Sequence, residues 1–274
     1  MYMVSCRKDF SSNLSFADAN QYRNYSNPAN PNTFNDIDLQ TILDAAKGKH
    51  VLVMVHGFNN PIENVLPAYW DLVKGLNDEG LMGPGQYGLI VGFTWPGNKF
   101  GIGYFGAVPK ANKSGGYLRD FIADLQGAAL SVDVQTHSLG ARVALKALSD
   151  PKKAFVDNLM LTASAVDNNK LEPDKDFFKS LIAVNRCFSY HSTKDPVLGG
   201  AFWIGDILDG IHPALGLKGP RSKPITLAQT PNLYVVDCSA RINTHGGYRM
   251  SKQYYDHWKL VLAGGPMNRY DELG

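Results

Sequence analysis

The stretch with the clearest chemical potential is Thr136-His137-Ser138-Leu139-Gly140. A short apolar run, Leu130 to Gln135, leads into it, and a segment with Leu139, Val143, Ala147 and Leu148 on one helical face leads out. A serine on the sharp turn between a buried strand and a helix has its hydroxyl lifted off the sheet, in a strained backbone that small neighbours tolerate. Thr136 stands where the Gly-x-Ser-x-Gly pattern has its first glycine, and Gly140 supplies the second. Such a serine becomes a nucleophile when a base takes its proton and a carboxylate orients the base. In this strand–turn–helix setting the acid and then the histidine follow the serine along the chain. The downstream histidines are His191, His212, His245 and His257. His245, in Asn-Thr-His-Gly-Gly-Tyr, lies after the last strand-like run, where the ends of parallel strands all open on one edge, so it is the preferred base. His257 falls inside a helical pattern, while His191 ends a strand-like run and His212 lies in a long loop. Asp195, Asp167 and Asp237 each lie at or just past the end of a strand-like run. Asp195 ranks first as the orienting acid, with Asp167 as a turn cap and Asp237 as a strand-end acceptor, and the residues alone do not eliminate the last two. A tetrahedral intermediate also needs two N–H donors. Leu139 offers one at the positive end of its helix, and Phe58 offers the other in the loop His56-Gly57-Phe58-Asn59-Asn60.

These residues need a scaffold, and the hydrophobic pattern predicts one. Apolar runs at Val51–Val55, Leu89–Thr94, Leu130–Gln135, Val156–Ala163, Ile182–Tyr190 and Leu233–Val236 read as buried strands. Helical spacing is expected over Phe34–Ala46, Pro61–Asn77 (with Asn60 as its cap), Gly115–Ala129, Leu139–Leu148, Asp174–Leu181 and Ser251–Leu262. The alternation predicts an α/β fold in three layers, a mostly parallel central sheet with helices on both faces, as a single domain over residues 1–274. Residues 1–35 are polar and turn-rich, and are expected to form an irregular surface arm. Residues 96–113 and 199–224 read as glycine- and aromatic-rich insertions over the productive sheet edge. Their Tyr104, Phe105, Phe202 and Trp203 are the candidate substrate-binding side chains.

Composition narrows the function classes. With 27 Lys+Arg against 25 Asp+Glu in 274 residues the net charge is +2, and no basic run offers a nucleic-acid surface. No apolar stretch approaches the roughly 20 residues that span a bilayer, and the N-terminus lacks the apolar core of a signal peptide. A cytoplasmic location is therefore expected, with a removed leader left open. The three cysteines are odd in number and far apart, which fits neither a disulfide framework nor zinc. Two Gly-x-Gly-x-x-Gly strings, at Gly83 and Gly101, lack the strand–glycines–helix order that a dinucleotide site needs. No cofactor and no metal are expected, and the partner is a small molecule.

Taken together, Val55-His-Gly-Phe-Asn-Asn60, Thr94-Trp-Pro-Gly97, Thr136-His-Ser-Leu-Gly-Ala-Arg-Val143 and Ser192-Thr-Lys-Asp195 resemble the α/β-hydrolase superfamily. Within it they are similar to a bacterial esterase/lipase-like branch, over residues 50 to 263. The resemblance implies the α/β-hydrolase fold, with nucleophile, acid and base at Ser138, Asp195 and His245, oxyanion positions at Phe58 and Leu139, and a noncatalytic aspartate at Asp167. Thr136 in place of the leading glycine is common in that branch. The two glycines after His245 depart from it, and the N-terminal arm has no counterpart. The implied activity is hydrolysis of carboxylic esters through an acyl-enzyme, with short to medium acyl chains. Alternatives are an amidase, thioesterase or acyltransferase with the same triad, or a catalytically silent, ligand-binding relative.

Overall fold

Val51 to Val55 are buried without alternation because both faces of their strand, β4 (His50–Val55), are covered. The computed structural model describes residues 1–27, 30–97, 103, 106–150, 153–200 and 212–274. In it β4 lies inside a 10-stranded sheet of order β10-β9-β8-β7-β6-β4-β5-β1-β2-β3. The other strands are β1 (Tyr2–Arg7), β2 (Phe16–Tyr25), β3 (Phe34–Ile37), β5 (Tyr87–Thr94) and β6 (Ser131–His137), followed by β7 (Val156–Thr162), β8 (Val184–His191), β9 (Leu233–Asp237) and β10 (Tyr270–Glu272). Only β2 runs against the rest, so the C-terminal ends of β4, β6, β7, β8 and β9 meet along one edge. The helices are α1 (Leu39–Ala46), α2 (Ile62–Asp78), α3 (Ala107–Gln126), α4 (Gly140–Ala147), α5 (Pro196–Gly200), α6 (Leu215–Lys218), α7 (Lys223–Gln229) and α8 (Lys252–Ala263). This is the mostly parallel, helix-covered sheet that the alternating sequence pattern predicts. Among the described residues no helix is long and apolar enough to cross a membrane.

The strand that leads to Ser138 is tied down on both sides. Asp133 of β6 accepts hydrogen bonds from the Tyr87 hydroxyl at 2.6 Å and from the Asn158 backbone N–H at 2.9 Å. Trp258 of α8 donates its indole N–H to the same Tyr87 oxygen at 3.0 Å. One buried carboxylate thus joins β6 to β5, β7 and α8, and leaves little freedom in how β6 delivers the residues beyond it.

The N-terminal segment overturns the irregular arm expected for residues 1–35. β1 is an interior strand, parallel to β5 and antiparallel to β2, with Met3, Val4 and Cys6 in the core. The Asn- and Pro-rich stretch after Tyr25 joins β2 to β3, and Ser26 N–H bonds Thr33 O across it at 3.0 Å. Local signals were weak because β2 is mostly half-buried and is held by partners on both sides. Smaller corrections follow the same logic. The first part of the helix expected from Phe34 is β3, and α1 starts at Leu39 after the Asp38 carboxylate caps Thr41 N–H at 2.8 Å. Pro61, not Asn60, is the N-cap of α2. α3 begins at Ala107, inside the expected 96–113 insertion, and the helix expected over Asp174–Leu181 is only a 3₁₀ segment, Phe178–Ala183. Within 199–224, α6 packs on the sheet, with a Cβ at Gly216 falling 2.1 Å from Ser164 N.

Candidate active site

β6 ends at His137 and α4 begins at Gly140, so Ser138 and Leu139 make the whole turn. Ser138 has φ +56°, a left-handed conformation that costs energy for any residue with a Cβ. Hydrogen bonds hold it there. Its N–H donates to Thr162 O at 3.0 Å, and its carbonyl accepts from Ala141 and Ala165 N–H, each at 3.1 Å. Gly140 lets α4 sit directly on β4, since a Cβ there would stand 2.5 Å from the carbonyl oxygens of Val55 and His56. The first position of the pattern has no such constraint. The Thr136 side chain fits inside the sheet and donates to Met160 O at 3.2 Å, so a leading glycine is not required.

His245 and Asp195, 50 residues apart, meet at the same edge. His245 Nδ1 lies 2.8 Å from Asp195 Oδ2, and Asp195 Oδ1 accepts from the N–H groups of Val197 (3.0 Å) and Leu198 (3.1 Å). Burial alone would push the Asp195 carboxyl up, but the His245 imidazole and these two N–H groups hold it below the usual carboxylate range. The carboxylate is ionised at neutral pH, so the Nδ1 that faces it carries a proton. No hydrogen bond joins His245 Nε2 to Ser138 Oγ. The competing aspartates are engaged elsewhere: Asp167 lies 3.9 Å from Lys170 Nζ, and Asp237 accepts from Ser239 N–H at 2.9 Å. His257 sits in α8 with Nδ1 3.0 Å from the Tyr190 hydroxyl, and His191 is buried at the end of β8 with no hydrogen-bond partner for either ring nitrogen among the described residues.

The sequence pattern gave no sign of what His137 does. Its Nε2 donates to the His245 carbonyl at 2.9 Å, and the two rings meet edge to face, 4.6 Å between centroids. Burial, and then the neighbouring His245, push His137 down to about 3, so it is a neutral donor. The loop after β4 closes the other side. A Cβ on Gly57 would stand 2.8 Å from Ser138 Cβ and 3.3 Å from Oγ, so the backbone preceding Phe58 lies against the serine hydroxyl. Leu139 N–H heads α4. A cavity of about 100 Å³ lies next to this arrangement, lined by His56, Gln135, His137, Thr162 and Gly246 but not by Ser138. Tyr104, Phe105, Phe202 and Trp203 lie outside the described residues. Among the described residues no cluster of His, Cys, Asp or Glu could hold a metal ion.

Four histidines, His56, His137, His191 and His257, titrate below the ordinary imidazole range with burial as the first cause, His191 at about 4. In the unfolded chain they return to roughly 6.5. Below that pH the unfolded state binds more protons than the fold, so stability falls as pH falls, by up to ~1.4 kcal/mol per histidine and pH unit until the folded value is reached. Calorimetric melting from pH 7 to pH 5 should show Tm dropping steeply with proton uptake on unfolding. A flat Tm over that range would contradict the neutral, buried state of these rings.

The chain is similar to solved structures that include these two. One is the product of the Listeria innocua gene lin2722, 12% identical, TM-score 0.49, over 82% of this chain and 99% of that one. The other is the Pyrococcus furiosus esterase Pf2001, 13% identical, TM-score 0.41, over 80% of this chain and 83% of that one. No curated protein matches the chain in sequence. Residues 32–206, more than half of the chain, match the family described as alpha/beta hydrolase of unknown function (DUF900), and the chain belongs to that family.

Proposed function

We propose that this protein is a serine hydrolase that cleaves carboxylic esters of short to medium acyl chains through an acyl-enzyme. Ser138 Oγ attacks the ester carbonyl while His245 Nε2 takes its proton, and the N–H groups of Leu139 and Phe58 receive the oxyanion. The carbonyl re-forms as the C–O bond to the alcohol breaks, and His245 returns the proton to the departing alkoxide. Water then repeats the sequence on the acyl-serine. Asp195 keeps the His245 proton on Nδ1 throughout. The observation that carries this reading is the 2.8 Å bond between His245 and a buried, ionised Asp195 at the sheet edge where Ser138 stands at φ +56°. The acyl-chain preference rests on the sequence, in which nothing over residues 96–113 or 199–224 resembles the large apolar lid of an interfacially activated lipase.

A fluorophosphonate probe should label Ser138, and p-nitrophenyl esters from acetate to palmitate should be hydrolysed with kcat/KM falling at the long end. Absence of labelling would make the chain a silent binding relative. Labelling with turnover of anilides or thioesters but not oxygen esters would move the substrate class.

A further inference from the structure

Arg7 is fully buried at the end of β1, in the N-terminal segment to which the sequence assigned no role. A register shift between Ser5 and Arg7 in the β1–β2 pairing marks the place where the strand turns this side chain inward. Its Nε donates to Thr94 Oγ1 at 2.6 Å, one terminal nitrogen donates to Asn13 Oδ1 at 2.9 Å, and the other to Asn60 O at 2.6 Å, with His56 Nε2 also 3.0 Å from that nitrogen. Burial lowers the guanidinium to about 10, so it stays charged at neutral pH, yet among the described residues no carboxylate forms an ion pair with it and Glu63 acts on it only at longer range. A buried cation without a counter-ion is costly, and its partners suggest what it serves. Apart from Asn13, close by in the chain, they are Thr94 at the end of β5 and the His56–Asn60 loop.

The donors around His56 decide its tautomer. The Arg7 guanidinium and the Trp95 backbone N–H (3.1 Å) both face Nε2 and can only donate, and the Thr94 hydroxyl, 3.1 Å from Nε2, accepts from Arg7 Nε and has its own proton to give to Nε2. Nε2 must therefore hold the lone pair, which places the proton on Nδ1. Nδ1 lies 2.8 Å from the carbonyl oxygen of Gly57, so that peptide oxygen is the acceptor. The rest of the imidazole is clamped as well. Trp95 stacks on it with centroids 5.5 Å apart and donates its indole N–H to His56 O at 2.8 Å. Gly97 leaves room for the Gly57 carbonyl, since a Cβ there would come within 3.2 Å of it. The Gly57 carbonyl and the Phe58 N–H belong to one trans peptide and point in opposite directions. Fixing the oxygen toward His56 fixes the N–H on the other side.

We propose that Arg7 is a positioning residue for the oxyanion hole: it sets the Nδ1–H tautomer of His56, and His56 locks the Gly57–Phe58 peptide with its N–H turned to the Ser138 side. The Thr94-Trp-Pro-Gly97 segment completes the clamp. This role rests on the serine-hydrolase reading, in which the Phe58 N–H meets the oxyanion, but the Arg7–His56–Gly57 chain can be measured without it.

The experiment has two arms. ¹⁵N-histidine NMR of the whole wild-type protein should show His56 protonated at Nδ1 and unprotonated at Nε2. The opposite tautomer overturns the proposal whether or not the protein hydrolyses esters. In the kinetic arm, Arg7→Met and Arg7→Lys should each lower kcat by about 10²-fold, the low end of the loss on deleting an oxyanion donor, with KM little changed. Affinity for a boronic acid analogue of the tetrahedral state should fall by a similar factor. A fully active Arg7→Lys beside an inactive Arg7→Met would assign the effect to charge alone and overturn the tautomer role, as would a loss seen only in KM. Should the Arg7 variants fail to fold, His56→Asn takes their place, because its amide offers an N–H near the position of Nδ1. It should retain more kcat than His56→Leu, and equal activities would overturn the proposal. A wild-type protein that neither reacts with fluorophosphonate nor hydrolyses esters would sink the hydrolase reading and leave the NMR arm standing.

Discussion

Ser138→Ala is expected to lower kcat for ester hydrolysis by about 10⁶-fold, the size of loss found when the nucleophile of a serine triad is removed. The change deletes one oxygen and keeps the Cβ, so the backbone at φ +56° faces no new steric demand. Nothing in the fold depends on that oxygen. The hydrogen bonds that hold the turn run through the Ser138 backbone to Thr162, Ala141 and Ala165. Tm should therefore stay near that of the wild type while covalent labelling disappears. His245→Ala should lose activity to a similar degree, because a nucleophile without its base is as poor as a base without its nucleophile. Steady-state kinetics with a p-nitrophenyl ester, paired with melting curves, checks both. An active, labelled Ser138→Ala would place the nucleophile elsewhere. Activity kept in His245→Ala and lost in His257→Ala would move the base to α8.

What could be read from the sequence follows from how local each signal is. The turn at Ser138 is written in five consecutive residues and their flanking periodicities, so both the elbow and the strands around it were legible. The parallel sheet was legible too, because strands buried on both faces are unbroken apolar runs such as Val51–Val55. Asp195, Asp167 and Asp237 looked alike in sequence, since all three lie at or just past strand ends. Only the folded chain distinguishes them, by placing Asp195 against His245 and Asp167 beside Lys170. β1 and β2 were not legible. In Tyr2–Arg7 the apolar residues are interrupted by Ser5 and end in an arginine, and the strand is buried because β5 and β2 flank it. Arg7 was hidden for the same reason: a lone arginine in a polar segment reads as surface until its acceptors, as distant as Thr94, are brought to it. His137 was passed over as a neighbour of the serine, because its link to the His245 carbonyl spans 108 residues.

Asp195→Asn should lower kcat by about 10⁴-fold, and the surroundings of Asp195 give a reason particular to this site. The carboxylate faces donors on both oxygens, with His245 N–H on Oδ2 and the N–H groups of Val197 and Leu198 on Oδ1. An amide has one oxygen to offer. Facing two fixed backbone donors on one side and a single imidazole on the other, it turns its oxygen to the backbone and its NH₂ to His245. That NH₂ can only donate, so His245 Nδ1 must give up its proton and Nε2 must carry it. In that tautomer Nε2 has no lone pair with which to accept the proton of Ser138. The protein should still fold, because the two backbone bonds survive. Mild acid should not reproduce the loss through this carboxylate. Its folded pKa is depressed, so its stabilising contribution is present above the unfolded value of roughly 3.9 and is lost only as pH falls through the lower folded value. Asp167→Asn is the informative comparison: Asp167 is buried beside Lys170, so its change should lower Tm and leave kcat near wild type. If Asp167→Asn lost the larger share of kcat and Asp195→Asn kept it, the proton on His245 would be governed from Asp167, and the 2.8 Å bond to Asp195 would be a structural tie.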